Sequence, residues 1–324
     1  MSTALECFRR THPAEPTLTQ RIGLGVPLVF TTVLSFILNI LLLIIVLRST
    51  IVDRNFGLHV VSLIVASLVY LMANTLALIP TTVAHVHYGD PWNAILSCTD
   101  NLGYLALMFT TTNVAADRFL LFFQPKIHRR LTSSRRFFIC FASIPWFFSV
   151  VITIHMAVEG CYTRTDPYSL TFTYACSTCV LYGPVLYYFG FVFPGINFVL
   201  YSLIYVRIIL MRFQYASSHS KSPSIALPRR TEIVLVFQFS FICALQFASS
   251  ACFYVLPPLM PNNDLAFHLP MIISTLNTLT NPCVMMIFQH KVRTTYWLMI
   301  KRRSIAVTAP TSVVRVSRHS KHTA

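Results

Sequence analysis

Charged residues are scarce in this chain. Only 11% of its 324 residues are Asp, Glu, Lys or Arg, and just ten are acidic. A water-soluble domain carries roughly 25%. With 55% hydrophobic residues and a mean hydropathy of +0.64, the chain cannot cover a water-facing surface of this size. Lipid must replace water over much of it. Glycine is sparse too, at nine residues. No Gly-rich phosphate loop, Gly-x-Ser-x-Gly or His-Glu-x-x-His occurs, which removes common signatures of nucleotide-dependent, hydrolytic and zinc enzymes. No Asn-x-Ser/Thr acceptor is present, so N-linked glycosylation is not expected. The stretch before Arg21 has no apolar core, so no cleavable signal peptide is expected and the first apolar segment acts as the insertion signal.

What the chain does have is long apolar runs. A bilayer core needs about 20 apolar residues of helix. Seven stretches meet or approach this, at 24–47, 57–80, 96–123, 137–158, 184–211, 232–257 and 266–289. Helix is the expected conformation, because backbone groups in lipid must be satisfied within the segment. The expected fold is therefore an all-α membrane protein, a bundle of seven transmembrane helices. Its expected parts are an extracellular N-terminus (1–23), the helical domain (24–300) and a disordered basic cytoplasmic tail (301–324).

The 25 basic residues set the orientation. With the N-terminus outside, the inner loops and tail hold Arg48, Arg54, Lys126, Arg129, Arg130, Arg135, Arg136, Arg207, Arg212, Lys221, Arg229, Arg230 and the eight basic residues after Gln289. Only Arg9, Arg10, Arg21 and Arg164 fall outside. Positive loops on the cytoplasmic side are a topology signal. The net charge of +15 thus calls for an anionic membrane leaflet and for no nucleic acid. No internal repeat is evident, and an odd number of spans disfavours a duplicated transporter.

Ionisable residues inside a span are costly and mark functional candidates. The clearest are Asp117 and Arg118, near the inner end of the third span, in Asp-Arg-Phe-Leu-Leu-Phe-Phe-Gln-Pro. Alone, Arg118 reads equally well as a basic anchor snorkelling to the interface. The seventh span adds Asn277-Thr278-Leu279-Thr280-Asn281-Pro282. A proline there removes a hydrogen bond and bends the axis, and two asparagines one turn apart can satisfy freed groups. This is a plausible hinge.

Together these features resemble the rhodopsin-like G-protein-coupled receptors. Asp117-Arg118-Phe119 with Pro125 is similar to that family's Asp-Arg-Tyr motif. Asn277 to Pro282 is similar to its seventh-helix motif, and Leu38-Asn39-Ile40-Leu41 to its first-helix asparagine. Trp146 and Pro194 fall where the family carries Trp and Pro in its fourth and fifth spans. There are departures. Ser67 stands in place of the second-helix Asp, Met285 in place of the Tyr after Asn-Pro, and the sixth span lacks Trp. With the short tails, the Arg-Phe variant and the Cys-rich second outer loop, the chain most resembles the nematode serpentine chemoreceptors, class x among them.

The resemblance implies a chemosensory receptor in the plasma membrane of a sensory cilium, with a heterotrimeric G protein as partner. It implies that Arg118 pairs at rest with Asp117 and with Glu232 at the inner end of the sixth span, then meets the G protein. It also implies a disulfide from Cys98 to the second outer loop, at Cys176 or else Cys179, with Cys161 pairing the remaining one. The ligand pocket then lies in the outer half of the bundle, where Tyr104, Met108, Tyr187, Tyr254 and His268 have suitable depth. Few charges lie there, and Asp100 sits near the loops. An apolar, aromatic pocket for a small apolar ligand is expected, with no acidic partner for an amine. Residues 289–303 read as an amphipathic helix lying on the membrane surface. A neuropeptide-type receptor is the alternative reading, and a seven-span transporter or channel a weaker one. No cofactor and no metal is expected; Cys176-x-x-Cys179 lacks a matching second pair.

Overall fold

The computed structural model describes residues 3–12, 14–48, 54–217, 230–260, 264–288 and 292–298. A short helix α1 (Thr3–Thr11) precedes α2 (Leu18–Arg48). Helix α3 (Arg54–Ala73) runs through a π-helical turn (Asn74–Leu78) into α4 (Ile79–Ala84). Then come α5 (Trp92–Phe123), α6 (Pro125–Ser133) and α7 (Arg135–Val158). A hairpin of β1 (Arg164–Asp166) and β2 (Thr171–Thr173) leads to α8 (Tyr182–Ser217), α9 (Arg230–Leu259) and α10 (Asp264–Phe288). Residues 292–298 form a further helical turn. The 301–324 tail lies outside the described residues.

Among the described residues six spans, with α3 and α4 counted as one, are long and apolar enough to cross a membrane; α5 is long enough but more polar. It is the polar axis of the bundle. It packs on α3, α7, α8 and α9, and joins α3 to α8 in a ring that runs on through α9, α10 and α2. Its Asn93, Ser97, Asn101, Thr110, Thr111, Asn113, Asp117 and Arg118 are all buried. A helix face buried against protein needs partners in place of apolar surface. Thr111 Oγ1 donates to Gln246 Oε1 of α9 at 2.9 Å, and Asn113 Nδ2 to the Phe141 carbonyl of α7 at 2.9 Å.

The other spans are polar inward and apolar outward. Asn39 Nδ2 of α2 reaches the Thr278 carbonyl of α10 at 3.2 Å, and Ser35 Oγ meets Thr278 Oγ1 at 2.8 Å. Asn74 Nδ2 donates to Thr275 Oγ1 at 2.9 Å. Trp146 Nε1 of α7 donates to Ser62 Oγ of α3 at 2.8 Å. Outside, Phe30, Phe147, Ile154 and Phe198 are exposed. Such a surface is suited to lipid and unsuited to water.

Several ends differ from the apolar runs for local reasons. Thr17 and Gln20 cap α2: Gln20 Oε1 accepts the Thr17 N–H at 2.7 Å, and Thr17 Oγ1 accepts the Gln20 N–H at 3.3 Å. This capping box starts the helix at Leu18 rather than 24. Pro80 has no N–H, and its ring would clash with a carbonyl one turn back; the π turn just before it opens the ladder. His85, in the left-handed region with φ 53°, ends α4. In the 292–298 turn, Val292 is buried and Tyr296 packs on the inner core, while Trp297 and Leu298 are exposed.

Candidate functional site

Two features bracket α5. Toward its first turns lies a small cavity, with about 50 Å³ of enclosed space, between α3, α5, α8, α9, α10 and the β hairpin. Its walls hold Tyr70, Asp100, Asn101, Tyr104, Thr163, Phe172, Tyr174, Leu186, Ser249, Ser250, Phe253, Tyr254, Met271 and Ser274. Of the five residues expected from depth, Tyr104 and Tyr254 line it. Met108 does not line it but lies fully buried behind its wall, in a core cluster with Leu105, Met156 and the wall residue Leu186. Tyr187 is 44% exposed on the outside of α8, its ring 5.2 Å from that of Tyr254. His268 is buried and its Nδ1 lies 2.7 Å from the Leu170 carbonyl, so it fastens the hairpin.

The cavity is not the wholly apolar pocket expected. It carries hydroxyls and one carboxylate, that of Asp100. Asp100 is not at the loop surface because α5 begins at Trp92 and the hairpin folds over its first turns. Asn93 pins that hairpin. Its Oδ1 accepts the Thr165 N–H at 2.9 Å and the Thr165 hydroxyl at 2.8 Å, and its Nδ2 donates to the Thr165 carbonyl at 3.0 Å. Tyr174 O–H donates to Asn101 Oδ1 at 3.2 Å. Burial, with Asp100 nearby, raises the Tyr174 phenol above its ordinary range, which keeps it a donor. In the loop before α5, burial lowers the His87 imidazole below its ordinary value, against the pull of Asp90 and Asp166. Asn93→Ala should cost about 1–3 kcal/mol, because three buried partners on Thr165 lose theirs. A fall in the melting temperature of purified receptor checks this; an unchanged value would show that the hairpin is held elsewhere.

The disulfides correct the expected pairing at Cys98 and agree with it at Cys161, which takes Cys179. Cys7 bonds Cys176 and Cys161 bonds Cys179. Cys98 is free and exposed. The buried face of α5 at this level carries Asn93, Ser97 and Asn101, so Cys98 follows exposed Ile95 outward. Its thiol donates instead to the Ile95 carbonyl at 3.0 Å. The job of holding loop to helix falls to Asn93. Cys176 is taken by α1, whose Phe8 is fully buried. Cleavage at Glu15, between α1 and α2, should leave the N-terminal fragment attached on a non-reducing gel and release it on reduction. In Cys7→Ser it should be released without reductant; a fragment that stays bound there would contradict the bridge.

At the other end of α5, Asp117 and Arg118 are buried together. Arg118 Nε lies 3.8 Å from Asp117 Oδ2, and His128 Nε2 of α6 lies 3.2 Å from Asp117 Oδ1. The Arg118 guanidinium carbon sits 4.7 Å from the centroid of the Phe56 ring of α3. Phe56 meets Phe239 of α9 edge-on, with centroids 5.8 Å apart. The arginine is thus joined to α9 through two rings. Phe119 stacks on Phe123 at 4.5 Å and packs on the inner core. Glu232 lies in the first turn of α9; its side chain is outside the described part. Asn277, Asn281 and Pro282 are buried in α10, and neither polar atom of Asn281 meets a protein partner among the described residues. Residue types did not single out His128, Phe56 or buried His59, whose ring lies 5.1 Å from that of Phe138. A histidine in a basic loop and a phenylalanine in an apolar run carry no distinguishing signal.

A family model described as serpentine type 7TM GPCR chemoreceptor Srx matches residues 29–289, a range that holds both the outer cavity and the inner pair. No curated protein gives a match. The match covers most of the chain, and the chain belongs to this family of seven-transmembrane chemoreceptors.

Proposed function

We propose that this receptor binds a small molecule in the cavity beside Asp100 and Tyr104, and that binding releases Arg118 to engage a heterotrimeric G protein. The observation that carries the reading is the division of labour along α5. One helix lines a cavity at one end and holds a buried Arg–Asp pair at the other, roughly 27 Å apart at 1.5 Å per residue over eighteen residues. Helix α9 contributes to both, through Ser249, Ser250 and Tyr254 outside and Phe239 inside. A ligand that shifts α9 against α5 then biases the Arg118–Phe56–Phe239 contact, which is the differential interaction a two-state switch requires.

The orientation proposed is N-terminus and hairpin outside, tail inside. The excess of basic residues in the loops of the Arg118 end supports it. So do the two disulfides at the hairpin end, since bridges persist on the oxidising side. The plasma membrane of a sensory cilium is the proposed location. Glu232, near the start of α9, is proposed as a further resting partner of Arg118. Asn277, Asn281 and Pro282 are proposed as the hinge of α10. A small ligand is favoured over a peptide because the hairpin forms part of the cavity wall and the loop after it is tied to α1 by the Cys7–Cys176 bridge.

The test is a chemical screen in cells with G-protein nucleotide exchange as the readout, with Arg118→Ala as the control. Agonists that act through outer-loop contacts, unaffected by Tyr104→Ala and Ser250→Ala, would favour a peptide site over this one.

A further inference from the structure

Asp100 is a carboxylate in the cavity wall with no visible reason to be there. Among the described residues it forms no ion pair, since the five pairs present involve Glu6, Asp166, Asp117 and Asp90. It forms no hydrogen bond to a described group either. The closest cation in the hairpin, Arg164, is committed to Asp90 at 3.1 Å, the Cys176 carbonyl at 3.1 Å and Ser177 Oγ at 2.6 Å. The helix itself gives no help. Favourable interaction with its N-terminus fades within the first turn, and Asp100 stands more than two turns past Trp92. An uncompensated carboxylate in a water-poor wall is costly.

The neighbouring hydroxyls are already in use. Tyr104 O–H pairs with Ser250 Oγ at 3.0 Å, Tyr174 O–H donates to Asn101, and Tyr254 O–H donates to the Leu186 carbonyl at 3.0 Å. The charged group left for a ligand is the Asp100 carboxylate, with the aromatic rings around it. A carboxylate set among Tyr and Phe rings is the environment that stabilises an organic ammonium, through the charge and through the ring faces.

Resting on the pocket reading above, we propose that the ligand is a small organic cation whose protonated amine pairs with Asp100 and whose apolar body lies among Tyr104, Phe253 and Tyr254. This replaces the expectation of an apolar ligand.

The experiment uses the purified full chain in detergent. Melting temperature is followed against phenethylammonium, a protonated aromatic amine, and against phenethyl alcohol, its neutral match. The amine should raise the melting temperature, and the half-maximal concentration should rise about ten- to hundredfold in Asp100→Asn, the range for losing one charged hydrogen bond. The alcohol should act weakly and equally on both proteins. Asp100→Glu, which keeps the charge if Asn impairs folding, should retain part of the amine response. Equal amine responses in wild type and Asp100→Asn would overturn the proposal. So would a shift by the alcohol alone, no shift by a panel of such amines, or the same shift with sodium chloride at equal concentration. The measurement needs no G protein. Amine binding without nucleotide exchange would leave this inference standing and defeat the coupling; exchange driven only by neutral agonists, indifferent to Asp100, would do the reverse.

Discussion

Arg118→Ala should reach the cell surface at close to the wild-type level and lose agonist-driven nucleotide exchange by at least about tenfold, equivalent to ~1.4 kcal/mol of coupling. The two halves of this result have separate causes. Surface level should hold because the guanidinium is poorly paired for a buried charge. Its Nε has no hydrogen-bond partner among the described residues, its contact with Asp117 is 3.8 Å, and the ring of Phe56 lies 4.7 Å from its guanidinium carbon. A buried, incompletely satisfied charge adds little net stability. Asp117 keeps His128 Nε2 at 3.2 Å from its Oδ1 after the change, a contact that becomes an ion pair when the imidazole is protonated. Exchange should fail because a buried cation this weakly held is the group most readily released when α9 moves. Asp117→Asn supplies the opposite case: with one restraint removed, exchange without agonist should rise. Normal agonist-driven exchange in Arg118→Ala, at matched surface level, would defeat the switch reading and leave the fold and cavity untouched.

What the sequence made legible follows from which terms dominate in lipid. Runs such as 137–158 have to be helical and outward-apolar, so hydropathy and length locate them without any knowledge of neighbours. Their ends were less legible. Thr17 and Gln20 are ordinary polar residues until they cap each other, and that added turns to α2. The cavity was read least well, because its walls depend on a hairpin whose strands have three residues each. No periodicity can reveal strands so short. Without that cover Asp100 looks like a loop residue; with it, the same carboxylate faces a cavity. The cysteines show the same limit. Five cysteines near one surface, Cys7 among them, allow fifteen arrangements of two bridges, and the rotation of α5, which turns Cys98 outward, excludes the expected one. The inner pair was legible as Asp117-Arg118 because ionisable residues in a span are rare, whereas His128 and Phe56 acquire meaning only once α6 and α3 are brought against α5.

Gly103 is where the helix packing leaves no margin, and Gly103→Val should lower surface expression several-fold. A Cβ at this position would lie 2.5 Å from the Tyr70 backbone nitrogen and 2.7 Å from its Cα. Those atoms belong to the main chain of α3, so no rotamer change can make room. Helix α5 reaches α3 this closely only because the residue has no side chain, the usual device by which small residues bring membrane helices together. Forcing carbon into packed protein costs about 1–3 kcal/mol, occasionally more. Here the obstruction is backbone, which favours the upper end, and destabilisation of 1–2 kcal/mol already changes cellular abundance several-fold. Gly103→Ala should show a smaller loss. Gly195→Ala in α8 is the matched control, since nothing lies within 4 Å of its Cβ position. There the helix should gain about 0.5–1 kcal/mol from lost unfolded-state freedom, and expression should hold or rise. The change at Gly103 also reaches the cavity. Gly103 is next to Tyr104 and its contact is Tyr70, and both tyrosines are cavity walls. Any Gly103→Ala receptor that reaches the surface should therefore bind phenethylammonium more weakly than the Gly195→Ala control. Equal expression and equal binding in the two variants would mean that α3 and α5 can separate without cost, and that the wall they build is not held in place by Gly103.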